Sequence, residues 1–336
     1  MSHTTIKDIA SHLNISPSTV SRALRNHPDI SQRTKDLVRS VAEELDYQPN
    51  TIAQNLKNRQ SNVIGVIVPQ VKHYFFASIM AGITDVAYDA GYTVMICQSN
   101  DDYEREVINT QLFISQHVAG LLISVSQSTN EYDHFKALKR RNIPVVFFDR
   151  IIDDIDSSAV CIDDYQSAVM ATEHLIEKGY KKIAHLGGPQ YLTICRQRFN
   201  GFMDTIKKHG LPIQDDWIVF EGMNEEHGSL ALNRLFEQMH EMPDALFCVT
   251  DPVAIGAYME LKKRNIKIPD QIALVGFSDN PTSSLIDPPL TTIHQPAYDI
   301  GKTATELLIE EINHSSEQTT PVRKVLETQL IIRQST

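Results

Sequence analysis

The stretch TIKDIASHLNISPSTVSRALRN, Thr5–Asn26, sets two short helical patterns almost end to end. Ile6, Ile9, Ala10 and Leu13 recur at helical spacing before Asn14 interrupts them. Ser16 is a favourable N-cap, and Pro17 sits in the first turn, where its missing N–H has no intrahelical role. Val20, Ala23 and Leu24 give the second helix its apolar stripe; Ser31 caps a third, with Leu37, Val38, Val41 and Leu45 expected inward. Two helices joined by about three residues and followed by a third form the helix-turn-helix pattern. Ser18 and Arg22 share the face opposite Val20 and Leu24, as do Ser21 and Arg25. A serine that donates or accepts and an arginine that bonds guanine bidentately suit a helix in a DNA major groove. A solvated surface helix is the plainer reading, and this pattern alone leaves both open.

The rest of the chain frames that choice. Its 336 residues suit two or three domains, and 42% apolar with 22% charged residues is ordinary globular composition. The net charge of −11 by itself argues against nucleic acid. The distribution argues otherwise: residues 1–60 hold eight of the 31 Lys/Arg and six of the 42 Asp/Glu, leaving 23 against 36 beyond. No apolar run reaches the roughly 18 residues of a membrane span, and the start lacks an apolar export core, so a cytoplasmic protein is expected. Four scattered cysteines, Cys97, Cys161, Cys195 and Cys248, read as reduced thiols, with no zinc spacing or disulfide framework.

YQPNTIAQNLKNRQS, Tyr47–Ser61, opens extended and then carries Ile52, Ala53 and Leu56 at the spacing of a weak helix over about 51–58. It is either a plain linker or a segment that folds only on binding. Beyond Val63, the short apolar runs VIGVIVP, YTVMIC, AGLLISV, PVVFFD, KIAHLGG, ALFCVT and IALVGFS alternate with helical patterns. That texture implies α/β architecture with parallel sheets covered on both faces. Ligands of such sheets bind beyond the C-terminal strand ends. Those ends carry Phe75 and Phe76, Ser124, Asp149 and Arg150, Asp163, Thr250 and Asp251, and Ser278 and Asp279. Nucleotide-binding glycine loops, a G-x-S-x-G elbow and an H-E-x-x-H zinc helix are all missing from the sequence, and its thirteen histidines show no ligand spacing. No catalysis, cofactor or metal is expected.

TIKDIASHLNISPSTVSRALRN resembles the N-terminal signature of the lac repressor (LacI/GalR) family of bacterial transcription regulators, and YQPNTIAQNL its hinge. IGVIVPQVKHYFFASIMAGI, GLLIS, PVVFFDR, ATEHLIEKGYKKIAHLGG, RFNGF, TDPVAIGAY, IPDQIALVGFSD and PPLTTIHQP resemble its effector-binding core, in family order. The likeness runs from about residue 5 to 333. It implies a three-helix headpiece over 1–48, a hinge helix over 49–61 and a core over 62–333. The core would hold two doubly wound α/β subdomains like those of periplasmic sugar-binding proteins. These take residues 62–162 with 294–321, and 163–293 with 322–333, so the chain crosses near Asp163, His294 and Val322.

The resemblance also assigns roles. Pro17, Ser18 and Arg22 face base edges, with Ala53 and the wedge Leu56 entering the minor groove. Thr5, Ser16, Thr19, Ser21, Ser31, Thr34, Tyr47 and Asn50 touch the DNA backbone and fix register. Pro17 departs from members with two polar residues there, which leaves the operator sequence open. In the core, Phe75, Phe76, Ser124, Asp149, Asp163, Arg198, Thr250, Ser278 and Asp279 match effector contacts. An arginine and acids around an aromatic face suit a polyhydroxylated ring; an interdomain salt bridge is the alternative. Many members read Gly-Phe-Asp-Asp where this chain has Gly276-Phe277-Ser278-Asp279, so either Asp279 substitutes or the effector differs. Leu192 and Ile194 replace polar residues of purine-binding members. No leucine heptad follows LETQLIIRQST, so a homodimer on double-stranded, pseudopalindromic operator DNA is expected. The expectation is a repressor governed by a small ligand, a sugar or sugar derivative, with no membrane partner. The rivals are a sugar-modifying enzyme with a vestigial head and a ligand sensor that does not bind DNA.

Overall fold

The computed structural model describes residues 4–47, 61–152, 154–314 and 320–336. Two compact units partition the chain, Met1–Gln60 and Ser61–Thr336. Asn50, Ala53, Leu56 and nearly all of the expected hinge lie outside the described residues.

In the first unit, α1 (Ile6–Leu13), α2 (Pro17–Leu24) and α3 (Gln32–Glu44) pack around Ile9, Ala10, Val20, Ala23, Val38, Val41 and Ala42. Asn14 makes the turn after α1 in the left-handed region, φ 52°, a conformation asparagine tolerates. Ser16 and Ser31 cap α2 and α3, each accepting from the backbone N–H three residues on. Leu37, expected inward, is 52% exposed. The buried stripe of α3 runs through Lys35, Val38, Val41 and Ala42, and Leu37 lies one position off it.

The second unit holds two six-stranded sheets. In the first, the order is β11 (Arg323–Leu326), β5 (Ser158–Ile162), β4 (Val145–Phe148), β3 (Gly120–Ile123), β1 (Val63–Val68) and β2 (Thr93–Gln98), all parallel. In the second, it is β12 (Gln329–Ile331), β10 (Thr291–His294), β9 (Ala273–Ser278), β8 (Ala245–Cys248), β6 (Ile183–Gly187) and β7 (Ile218–Phe220), antiparallel only between β10 and β12. Strand residues alternate between two packing faces, as the period of two requires. Ile64, Val66 and Val68 join a core shared with α4 (Tyr74–Asp89) and α11 (Ala297–Asn313). Ile67 turns to the other face, where α5 (Tyr103–Ser115) and α6 (Asp133–Lys139) contribute Phe113 and Phe135. In the second sheet, α7 (Asp164–Glu177) and α8 (Thr193–Lys208) form one pair and α9 (Glu225–Gln238) and α10 (Asp251–Lys263) the other.

The chain passes from the first sheet to the second between Ile162 and Asp164, and returns between His294 and Ala297. The third passage corrects the expectation near Val322. Strand β11 pairs with β5 in the first sheet, Val325 opposite Cys161, so the chain crosses between Leu326 and Gln329. Among the described residues, no helix is long and apolar enough to cross a membrane.

Candidate functional site

On α2, Pro17, Ser18 and Arg22 are exposed and Val20 and Ala23 buried, so a polar face stands clear of the headpiece core. Of the residues expected at phosphates, Thr5, Ser16, Thr19, Ser31 and Thr34 lie at helix N-termini, whereas Ser21 is within α2 and Tyr47 follows the end of α3. The Ser16 hydroxyl accepts from Thr19 N at 3.1 Å and pairs with the Thr19 hydroxyl at 2.8 Å; Ser31 and Thr34 repeat the arrangement at α3. Thr5, Ser16 and Ser31 are exposed, Thr19, Ser21, Thr34 and Tyr47 half-buried. Thr5 donates its N–H and hydroxyl to Asp8, both at 2.7 Å, and these bonds hold the Asp8 carboxyl below its usual range. Backbone N–H groups at helix starts together with hydroxyls are groups that hold phosphate oxygens.

In the second unit, the C-terminal strand ends of the two sheets enclose a cavity of about 180 Å³, far above the roughly 10–15 Å³ that one water needs. Phe75, Phe76, Asp149, Arg198, Thr250 and Ser278 line it together. Arg198 is 2% exposed and reaches it from α8. Gly201, one turn on, allows this placement: a Cβ there would stand 2.4 Å from the Tyr165 carbonyl of α7, so only glycine lets the two helices approach so closely. Arg198 Nε and Nη2 each meet Asp164 Oδ1 at 2.8 Å, Nη1 donates to the Val249 carbonyl at 2.7 Å, and the guanidinium lies 3.6 Å from the Phe277 ring centroid. Three anchors and a cation–π contact fix the group, leaving two N–H bonds for a ligand. Burial raises the Asp164 carboxyl's pKa against the pull of Arg198.

Asp149, the residue after β4, is in the left-handed region, φ 60°, a conformation that non-glycine residues seldom adopt and that clusters at ligand sites. Burial pushes its carboxyl up to about 6, against the opposing attraction of Arg150 and Arg198. Arg150, 7% exposed, is bound to the Asp101 carboxylate and stands 5.9 Å from the Phe76 ring. Thr250 caps α10 and donates to the Met223 carbonyl at 3.2 Å. Asp251 beside it is fully buried and accepts from Asn280 N and the Ser283 and Thr292 hydroxyls, which ties the start of α10 to the cavity's rear wall.

Three expected ligand residues stay apart from the cavity. Asp163 is exposed and caps α7 through Gln166 N at 2.9 Å; its neighbour Asp164 takes the place beside Arg198. Ser124 is fully buried just past the end of β3. Asp279 does not substitute for Ser278: it bonds Arg333 Nη2 at 2.6 Å and His294 Nδ1 at 3.0 Å, facing away. The cavity also takes in Arg150, which strand-end position pointed to but the resemblance did not assign, and Asp101, Gln127, His73, Asn224 and His227, which were not expected as ligand contacts. Arg150 and Asp101 follow apolar runs, so strand-end position was their available signal. Among the described residues, no three His, Cys, Asp or Glu side chains gather as a metal site.

Comparison with known proteins places this geometry. Residues 61–331 match the family model described as periplasmic binding proteins and sugar binding domain of LacI family, and residues 5–50 match bacterial regulatory proteins, lacI family. The chain is 31% identical over 332 residues to the HTH-type transcriptional repressor CytR of Escherichia coli (strain K12), covering 99% of this chain and 96% of that one. It is also 31% identical to the ribose operon repressor of Halalkalibacterium halodurans, covering 99% and 97%. A solved lac repressor dimer bound to operator and the anti-inducer ONPF superposes with a TM-score of 0.87 at 25% identity, covering 99% of each chain.

Proposed function

Because the chain belongs to the LacI family of bacterial regulatory proteins, we propose that it is a cytoplasmic transcription repressor, not an enzyme, whose hold on operator DNA is set by a small ligand. The exposed Pro17–Ser18–Arg22 face of α2 carries this reading. Arg22 and Ser18 read base edges, while Pro17, which offers no hydrogen bond, reads shape or a thymine methyl. The hydroxyls and helix starts around Thr5, Ser16, Thr19, Ser21, Ser31 and Thr34, with Tyr47 and Asn50, hold phosphates and fix register. Two copies grip a pseudopalindromic site, one head per half-site. Ala53 and Leu56, outside the described residues, keep the minor-groove role the family implies. Leu56 then opens the central base step, a few kcal/mol of unstacking offset by the contacts of a bent duplex.

The ligand, a sugar or sugar derivative, lies between Phe75, Phe76 and Arg198, with Asp149, Thr250 and Ser278 bonding its hydroxyls. Ligand binding shifts the two halves of the core between arrangements that differ in operator affinity, a coupling of about 1–3 kcal/mol. Mobility shift of genomic fragments with the purified chain tests the reading: a subset retained at physiological salt supports it. Uniform salt-sensitive retention of all fragments, or retention of none, overturns it.

A further inference from the structure

The cleft's two arginines are satisfied unequally. Arg198 has its Nε, Nη1 and Nη2 engaged by Asp164 and the Val249 carbonyl. Arg150 is also buried, but its Nη1 serves both Asp101 and, at 3.4 Å, the Val125 carbonyl, while its Nε has no partner. A buried guanidinium N–H without an acceptor is costly, so the charge of Arg150 is less fully compensated by the protein than that of Arg198.

The helix starts around it differ in the same direction. Helices α5, α7, α9 and α10 are capped by Asp102, Asp163, Asn224 and Thr250, and each has an acidic residue in its first turn. Helices α4 and α8 begin at His73 and Leu192 with neither a side-chain cap nor a first-turn acid. Their first turns supply Phe75, Phe76 and Ile194 to the cavity wall that Arg150 shares. Two uncompensated positive helix ends therefore face the cavity from opposite sheets.

Resting on the repressor reading above, we propose that the effector carries an acidic group, a phosphate ester or a carboxylate, seated against Arg150 between the first turns of α4 and α8. Asp101 and Asp164 are each matched by an arginine. Asp149 is the remaining acid of the wall; burial pushes its carboxyl up to about 6, so below that pH it carries a proton and donates a hydrogen bond instead of repelling an anion.

Thermal unfolding of the full chain tests this with inorganic phosphate and, separately, acetate, each against sodium chloride of equal ionic strength. The expected result is a saturable rise in Tm with one anion beyond the chloride control. Phosphate as the active anion assigns an ester and acetate a carboxylate. Arg150→Gln is expected to weaken the response at least tenfold. Asp101→Asn, which keeps the acceptor for Gln127 N but removes the charge competing for Arg150, is expected to tighten it several-fold, and it decides the matter if Arg150→Gln does not fold. No response beyond chloride, an unchanged response in Arg150→Gln, or an unchanged affinity in Asp101→Asn overturns the proposal. Operator retention by the same wild-type preparation separates that failure from failure of the repressor reading.

Discussion

Asp163 and Asp164 stand side by side at the start of α7 with different roles, one an exposed cap and the other a buried partner of Arg198. Sequence position cannot separate them, because which carboxylate turns inward depends on the close approach of α7 and α8 at Gly201. Arg198→Ala leaves Asp164 buried without its cation, an expected loss of about 3–5 kcal/mol. Urea unfolding reads it, and Asp164→Asn in the same chain should recover part; an unchanged midpoint would show that the pair is not buried in solution. Asp149 gives a pH signature. Its folded pKa of about 6 lies above the 3.8 of a free carboxyl, so the folded state holds the extra proton and wild-type stability falls as pH rises between those values. Asp149→Asn removes that fall: its Tm advantage over wild type should grow from pH 4 to 6 and then level off. At the headpiece, Arg22→Ala should cost about 1–3 kcal/mol on the operator and much less on random DNA in anisotropy titrations. Equal losses on both would refute base reading.

Among elements, strands with continuous apolar runs were legible in the sequence, the edge strand β2 included, whereas β5, β7, β10, β11 and β12 were not. Helices α1 and α2 follow from capping and spacing, and the apolar runs mark four strands of the first sheet and three of the second. Strand β11 escaped because Arg323 and Lys324, adjacent and so on opposite faces, put a charge on each side of a four-residue strand, as edge strands often have; its parallel pairing to β5 shows only in three dimensions. Leu37 misled for a related reason. Its residue type suggests the core, but the stripe set by Val38 and Val41 excludes it. Val38→Ala should therefore cost about 1.5–2 kcal/mol from two lost methyl groups, and Leu37→Ser less than about 0.5 kcal/mol, both read by chemical denaturation. Strand β6 carries a second titration. His185 is fully buried among Phe199, Phe202 and Phe247, its Nδ1 paired with the Phe247 carbonyl at 3.0 Å, and burial pulls its pKa down to about 4. The unfolded chain takes up that proton first, so stability falls as pH drops from about 6.5 toward 4. His185→Leu should flatten that limb of the Tm profile.

At the scale of the molecule, a headpiece of slight positive balance and an acidic body meet in one chain, and each unit has its own core. The polar face of α2 and the strand-end cleft were both foreshadowed in sequence, the first by Ser18 and Arg22 four residues apart, the second by residues closing the apolar runs. The cleft's membership was only partly foreshadowed, because strand-end position does not say which side chains point inward. Ser124, Asp163 and Asp279 share that position with Asp149 and Ser278 yet turn elsewhere. Specific regulation requires α2 to read a two-fold site as part of a dimer. Selection from a random double-stranded DNA pool with the purified full-length chain measures this directly and needs no operator chosen in advance. The expected outcome is enrichment of a pseudopalindrome whose half-sites lie about one helical turn apart, and loss of that enrichment in Arg22→Ala. A pool that enriches nothing, or a sequence without two-fold symmetry, would show that α2 does not read DNA in this way.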